Sequence, residues 1–483
     1  MSQFLPPLWF GVVLHLGLQA FFITRALLRP NREPASRIAW VLVILAAPVV
    51  GMIAYVLFGD ATIGGRRIAR LRAALDKCPP FRLTGQHEGE AGTSVPVHMV
   101  PLFEIGRSFN GFPMVRGNSA TLLDEGDAPF DTLVADIDAA EHHVHLLFYI
   151  WMPDESGLKV VEAVKRAARR GVTVRAMADD LGSRLLIRSP HWQAMSEAGV
   201  NLQRALEVGL PVMRMMSGRI DMRNHRKIAV IDNRITYCGS KNCADAAFHT
   251  KARWAPWVDI LLRFEGPVVR QNQYLFASDW MAQSDEDLTD LLNAPFGPVG
   301  PGFPAQVIAS GAAVRPTATP EIIASLLFTA RRELVVTTPY YVPDESIQAA
   351  FCATARRGVK TTLVLPQRND SWIVAAASRS YYKQLLDAGV RIMEFTPGLL
   401  HAKTLTLDGE VALIGSTNLD RRSFELNFEN NILLHDEDLT SRIRARQQSY
   451  IDRSEEVTQA HADAWSRRDR LWNNTVAMFG PVL

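Results

Sequence analysis

The chain repeats itself. FDTLVADIDAAEHHVHLLFYIWMPDES, residues 130–156, has a partner in PEIIASLLFTARRELVVTTPYYVPDES, residues 320–346. Two more pairs follow in the same order: AVKRAARRGVTVRAMADD with AFCATARRGVKTTLVLPQ, and MSEAGVNLQ with LLDAGVRIM. Each pair reads as a helix, a glycine and an apolar strand. Gly171 and Gly358 stand where a helix C-cap favours glycine. Strands alternating with helices imply a mainly parallel sheet with helices on its faces. The duplication covers most of residues 119 to 440. The Pro/Gly-rich NAPFGPVGPGFP, residues 293–304, reads as a linker, so the repeats are expected over 119–292 and 305–483.

The N-terminus departs from this pattern. Leu5 to Thr24 and Ile38 to Phe58 carry no formal charge, and each is about the ~20 residues that a bilayer-spanning helix needs. Arg25, Arg29, Arg32 and Arg37 lie between them. A signal peptide is disfavoured, because no basic residue precedes the first stretch and a second follows at once. A buried core helix would show a polar face, and WVLVILAAPVVGMIAYVLF shows none. Residues 1–60 are therefore read as a membrane hairpin of two transmembrane helices, with Pro48 and Gly51 kinking the second. A basic connector over 61–118 follows, carrying Arg66, Arg67, Arg70, Arg72 and Lys77, with a short amphipathic helix around Arg66 to Leu75. Basic residues flank the second span on both sides, so the positive-inside rule leaves orientation open. Two spans put the N-terminus and everything after Asp60 on one side.

Composition excludes several function classes. Of 483 residues, 48% are apolar and 21% charged, so the chain is not disordered. Lys+Arg 52 against Asp+Glu 50 gives a net +2, which argues against a protein that coats nucleic acid. Cys78, Cys238, Cys243 and Cys352 are scattered without a C-x-x-C pair, so they read as packed thiols, not a zinc site or disulfide framework. No metal or other cofactor constellation stands out. His142, His143 and His145 cluster at a helix-to-strand junction without an acidic partner in the matching repeat, and read as structural. Trp254 and Trp257 read as packing or lipid contacts.

The chemistry lies in one motif that also occurs twice. NHRKIAVIDNRITYCGSKN, Asn224 to Asn242, matches HAKTLTLDGEVALIGSTN, His401 to Asn418. His225 and Lys227 meet His401 and Lys403, Asp232 meets Asp408, and Gly239, Ser240 and Asn242 meet Gly415, Ser416 and Asn418. On a strand, residues i and i+2 face the same way, so each histidine projects with its lysine. Lysine, serine and asparagine suit phosphate oxygens, offering one charge and neutral donors; Ser240, Asn242, Ser416 and Asn418 are the candidates to bind substrate phosphate. Asp232 and Asp408 complete the motif and are counted with the catalytic set. Standing in the DN and DG hairpin turns, they are better placed to brace nearby backbone than to catalyse.

These residues resemble the phospholipase D superfamily, and ASRIAWVLVILAAPVVG, NHRKIAVID, LLHAKTLTLDG and GSTNLDRRSFELNFE are similar to its bacterial cardiolipin synthases. The resemblance runs over nearly the whole chain. One departure is visible: Gly239-Ser240 stands where many family members have Gly-Gly. The resemblance implies two tandem phospholipase D-like α/β/α sandwich repeats with one pseudo-twofold active site, behind a transmembrane hairpin. It implies a phosphatidyltransferase of the bacterial inner membrane, with its catalytic part cytoplasmic, that joins two phosphatidylglycerols through a phosphohistidine. It also implies that no cofactor and no nucleic acid take part. His225 would be the nucleophile and His401 the acid/base, although the motif's symmetry alone does not separate them. Asp259 and Glu429, 34 and 28 residues beyond the two histidines, would orient the imidazoles. Two other classes compete: a phosphodiesterase of the same chemistry using water, and a non-catalytic membrane scaffold.

Overall fold

The computed structural model describes residues 8–29, 34–59, 65–81, 95–207, 222–295, 299–311 and 317–478. It divides into two units: the N-terminal helices up to Ile68, together with Met222, and the rest of the described chain from Ala69 on.

In the first unit the helix Leu8–Leu27 packs on a second helix broken into Pro34–Ala46, Pro48–Ala54 and a π-helical turn, Tyr55–Gly59. The break falls at Ala47, whose φ of −135° and ψ of 72° are not helical. Pro48 causes it, because its ring disfavours helical geometry in the residue before it and it has no N–H to donate. Gly51 lets the two halves stay close, since a Cβ there would lie 2.4 Å from the Val43 carbonyl oxygen. Phe22, Ile23 and Ala26 pack with Trp40, Ile44, Met52 and Tyr55, and Gln19 Nε2 donates to the Ile44 carbonyl at 3.1 Å. Apolar side chains also cover the outside: Trp9, Val12, Leu16, Leu42 and Val50 are all exposed. Trp9–Leu27 is long and apolar enough to cross a membrane; the pieces of the second helix are shorter. Leu5 to Pro7, Arg32 and Asp60 lie outside the described residues.

The second unit is organised by a 15-stranded sheet. The first repeat supplies, from its outer edge inward, Asn201–Ala205, Thr173–Asp179, His143–Phe148, Lys227–Ile231, Ile235–Gly239, Leu261–Glu265 and Val115–Leu122. The second supplies, in the same sense, Arg391–Phe395, Lys360–Pro366, Glu333–Thr337, Thr404–Leu407, Val411–Gly415, Glu429–His435 and Phe303–Ser310, with Ser454–Val457 added at its edge. The two runs meet through their equivalent innermost strands, antiparallel, with Val115 opposite Ala305. Two equivalent runs joined this way are related by a local twofold axis at the seam.

The sheet is mixed, not mainly parallel. Parallel pairing in it is confined to the outer three strands of each run. Only there does a helical crossover link two of the sheet's strands that are both consecutive in the chain and adjacent in the sheet. After the crossovers, Asp232-Asn233 and Asp408-Gly409 take positive φ at both central positions, the turn geometry that folds a strand back antiparallel. Side chains alternate between two faces. Leu147, Ile228, Val335 and Ile414 enter one core that runs across both repeats beneath the helices Val268–Gln283 and Glu437–Ile451. On the opposite face each repeat has its own helices: Ala128–Asp138 and Glu155–Arg169, and Ala318–Thr329 and Glu345–Arg356. Each Pro-Asp-Glu-Ser starts a helix: Asp154 and Asp344 cap it, accepting from Gly157 N at 3.0 Å and Ile347 N at 2.9 Å.

The expected connector is partly built into this unit. Residues 61–64 and 82–94 lie outside the described residues, but helix Val100–Asn110 packs Leu102 and Phe103 into the second repeat's core, and the first repeat's inner strand begins at Val115. Of the expected linker, 296–298 lie outside the described residues, and Phe303 already starts a strand.

Candidate active site

Each histidine sits just before a strand, and its lysine at or just before the strand's first residue. The segment carrying one repeat's histidine pairs through its main chain with the segment carrying the other repeat's acid. Leu399 and Leu400 lie opposite Trp257 and Val258, and His401 N donates to the Val258 carbonyl at 2.8 Å. On the other side Asn224 bridges Phe428, and His225 N donates to the Phe428 carbonyl at 2.9 Å.

The acids are therefore exchanged. His225 Nδ1 lies 2.9 Å from Glu429 Oε2, and His401 Nδ1 lies 2.6 Å from Asp259 Oδ1. Sequence spacing had associated each acid with the histidine it follows; the structure gives it to the other repeat's. The two half-sites thereby become one. A carboxylate can only accept, so each Nδ1 carries the proton and each Nε2 keeps a lone pair.

Burial sets the charges. It pushes both imidazoles down to about 4, with Glu429 and Asp259 opposing the fall. Both histidines are thus neutral at pH 7. Burial also lowers Lys227 to about 8 and Lys403 to about 7. Burial works to raise the two acids, but His401 and Lys403 hold Asp259, and His225 and Lys227 hold Glu429, below the usual carboxylate range. Each lysine Nζ is fixed 2.7 Å from the carbonyl oxygen of its own motif's histidine. The Lys403 charge is felt at His225 and the Lys227 charge at His401, so all four groups share one electrostatic environment.

The hydroxyls have another job than the expected one. Ser240 Oγ donates to Asp259 Oδ1 at 2.5 Å and accepts from Ile260 N at 3.0 Å. Ser416 Oγ donates to Glu429 Oε2 and accepts from Asn430 N at 2.9 Å. With its proton given to a buried carboxylate, neither hydroxyl has one for a phosphate; both fix the acids. Gly239 and Gly415 allow this closeness, since a Cβ on either would sit 2.2 Å from a carbonyl oxygen of the neighbouring strand. Asn242 Oδ1 accepts from Ile150 N at 3.3 Å, which leaves its amide group to donate, and buried Asn418 Oδ1 has no hydrogen-bond partner among the described residues.

Asp232 and Asp408 lie at the far end of their strands from the histidines. Asp232 accepts from the backbone N–H groups of Glu141, His142 and His143 at 2.7–2.9 Å. Asp408 does the same for Arg331, Arg332 and Glu333 at 2.7–3.0 Å. Both tie a hairpin turn to the start of the neighbouring strand. His143 and His145 stack on each other, and His145 also stacks on Phe276 and bonds Gln273.

Beside the histidines stand an aromatic read as a packing residue, Trp257, and two residues not singled out in the sequence, Tyr149 and Arg226. The Tyr149 ring lies 4.8 Å from the His225 ring, and the Trp257 ring 4.8 Å from His401. Tyr149 aligns with Pro339, so the duplication carried no signal for it. Arg226, buried at the seam, bonds both oxygens of Asp279 at 2.6 Å, the Ser310 carbonyl at 2.8 Å and the Glu429 carbonyl at 3.3 Å. It locks the Glu429 strand to the histidine segment. Its counterpart is Ala402, and that asymmetry inside a repeated motif was the available clue.

The chain is similar to known proteins over nearly its whole length. A family model described as cardiolipin synthase, phospholipase D-like domain, matches residues 133–280 and 323–451, together more than half of the chain. The chain belongs to this phospholipase D-like cardiolipin synthase family. A second model, the phospholipase D-nuclease N-terminal region, matches residues 17–59. Cardiolipin synthase A of Serratia proteamaculans is 36% identical over 472 residues, covering 95% of this chain and 96% of its own. Cardiolipin synthase A of Edwardsiella ictaluri is 35% identical over 504 residues, covering 100% of both. The solved structure of a phosphatidylserine synthase from Haemophilus influenzae shares the fold, with a TM-score of 0.57 at 13% identity over 78% of this chain and 95% of that one.

Proposed function

We propose that the protein is a cardiolipin synthase that transfers a phosphatidyl group from one phosphatidylglycerol to another, through a phosphohistidine on His225. The observation that carries this reading is the exchanged pairing of two histidines with two acids around two ammonium groups. In the first step the Nε2 lone pair of His225 attacks phosphorus, and the bond to the headgroup glycerol oxygen breaks. The anionic phosphodiester beside His401 raises that imidazole's proton affinity, so His401 supplies the leaving oxygen's proton. In the second step the now neutral His401 takes the proton of a glycerol hydroxyl on a second phosphatidylglycerol. The resulting oxygen attacks phosphorus, the P–N bond breaks, and cardiolipin and free glycerol result. Lys227, Lys403, Asn242 and Asn418 hold the non-bridging oxygens, where charge builds in both transition states. Asp259 and Glu429 keep each imidazole in the tautomer the steps require, helped by Ser240 and Ser416. The N-terminal helices cross the bilayer twice and keep the catalytic unit at the cytoplasmic face of a bacterial inner membrane.

The test is incubation of the purified full chain with phosphatidylglycerol vesicles. Cardiolipin and glycerol in equal amounts are expected. Phosphatidic acid without cardiolipin would replace the transferase with a hydrolase.

A further inference from the structure

An open cavity of about 410 Å³ lies in the second unit between the segment around Arg253, the start of helix Trp372–Asp387 and the C-terminal helix Arg467–Ala477. Arg253, Arg368 and Arg379 line it. Asp469 is the only acidic residue among its lining, and its carboxylate is already engaged in capping its own helix through Ser466. The rim is aromatic: Trp372 and Trp472 stack at 5.7 Å yet stay 63% and 54% exposed, and Leu471 beside them is 70% exposed. Trp254 lines the inner side, with the Arg253 guanidinium 5.0 Å above its ring.

Soluble surfaces seldom show stacked, exposed tryptophans; their half-apolar, half-polar character suits the boundary between a bilayer and water. Guanidinium groups match phosphate geometry. Exposed Leu471 and Trp472 on a helix that also carries Arg467, Arg468 and Arg470 follow the pattern of a helix lying in a membrane interface. The cavity also adjoins the active site. Lys251, two residues before Arg253, ion-pairs Asp370 next to Asn369, and its ammonium lies 5.9 Å above the Trp257 ring. That ring packs against His401.

We propose that this face seats the catalytic unit on an anionic bilayer, and that the cavity takes the phosphate of a phospholipid headgroup beside the His401 half of the site. The inference rests on the transferase reading for its meaning, but its physical test does not. The full chain is reconstituted in nanodiscs of bromine-labelled phosphatidylcholine, with or without one part in three of phosphatidylglycerol. Tryptophan fluorescence is compared between wild type and Trp372→Phe/Trp472→Phe, which keeps apolar rings at both places. Bromine quenching should be smaller in the variant, and the difference should appear only with phosphatidylglycerol present. Equal quenching in both proteins would overturn the proposal and leave the face to a protein partner. In mixed micelles, Arg253→Gln/Arg368→Gln should raise the half-saturating mole fraction of phosphatidylglycerol by roughly fivefold per arginine; an unchanged value would also overturn it. If the wild type makes no cardiolipin, the transferase reading fails while the quenching result still stands.

Discussion

Glu429→Gln should behave as a lesion of the His225 half although it lies in the other repeat. The Glu429 carboxylate is fully buried, accepts from His225 Nδ1 at 2.9 Å and also takes the Ser416 hydroxyl proton. An amide of the same shape can turn its N–H2 toward Nδ1, which moves the imidazole proton to Nε2 and removes the attacking lone pair. Losing a hydrogen bond to a buried carboxylate costs about 1.5–3 kcal/mol, and leaving the groups around it unsatisfied costs about 1–3 kcal/mol more. At about 1.4 kcal/mol per tenfold, that is roughly a 10²- to 10⁴-fold slower first step. The assay uses a phosphatidyl ester of 4-nitrophenol, whose leaving group needs no proton. Its burst reports formation of the covalent intermediate. Glu429→Gln and His225→Ala should both lose the burst. Asp259→Asn and His401→Ala should keep it and slow the turnover that follows. The reverse assignment, Asp259→Asn losing the burst and Glu429→Gln keeping it, would refute the exchanged pairing.

Three further outcomes follow from the structure. Burial holds both imidazoles near 4 and Lys403 near 7, so the protonated His401 that the first step needs is a minority of the free enzyme above pH 4. The value of kcat/KM should fall about tenfold per pH unit from about 5 to 7, and more steeply above 7 as Lys403 loses its proton; a level profile from 5 to 7 would contradict this. The histidines' share of stability runs the other way: the unfolded imidazoles, near 6.5, take up protons first, so this share is full above about pH 6.5 and lost progressively as pH falls toward 4, which denaturant titrations at stepped pH would read. Asp232→Ala removes an acceptor shared by three backbone N–H groups. It should cost about 2–4 kcal/mol of stability while leaving kcat within about threefold at low temperature; loss of kcat in a folded variant would restore Asp232 to the catalytic set.

What was legible in the sequence was local or repeated. The glycines after the helices and the D-N and D-G turns act within a few residues, so their residue types announce them. The two H-x-K motifs were legible because duplication made them stand out against chance. The strand order was not. Strands that follow a hairpin run antiparallel, and the helix–strand alternation of the earlier segment masked that switch. The exchange of Asp259 and Glu429 was hidden for a related reason. Similar spacing within each repeat cannot say that main-chain pairing at the seam carries each acid across to the other histidine. Ser240 and Ser416 were assigned to phosphate by residue type, but their neighbours claim them first. Arg226, a charge inside an apolar strand start, reveals its purpose only once Ser310 and Glu429 are brought beside it.

The most direct test of the account is the site of covalent attachment. Full-length protein is mixed with acyl-labelled phosphatidylglycerol, quenched within one turnover and digested, and the acid-labile adduct is located by mass spectrometry and ³¹P NMR. With Nδ1 of His225 committed to Glu429, the phosphorus should be found on Nε2 of His225, and the His225→Ala protein should carry none. Phosphorus on His401, or on the Nδ1 atom of either histidine, would contradict the mechanism.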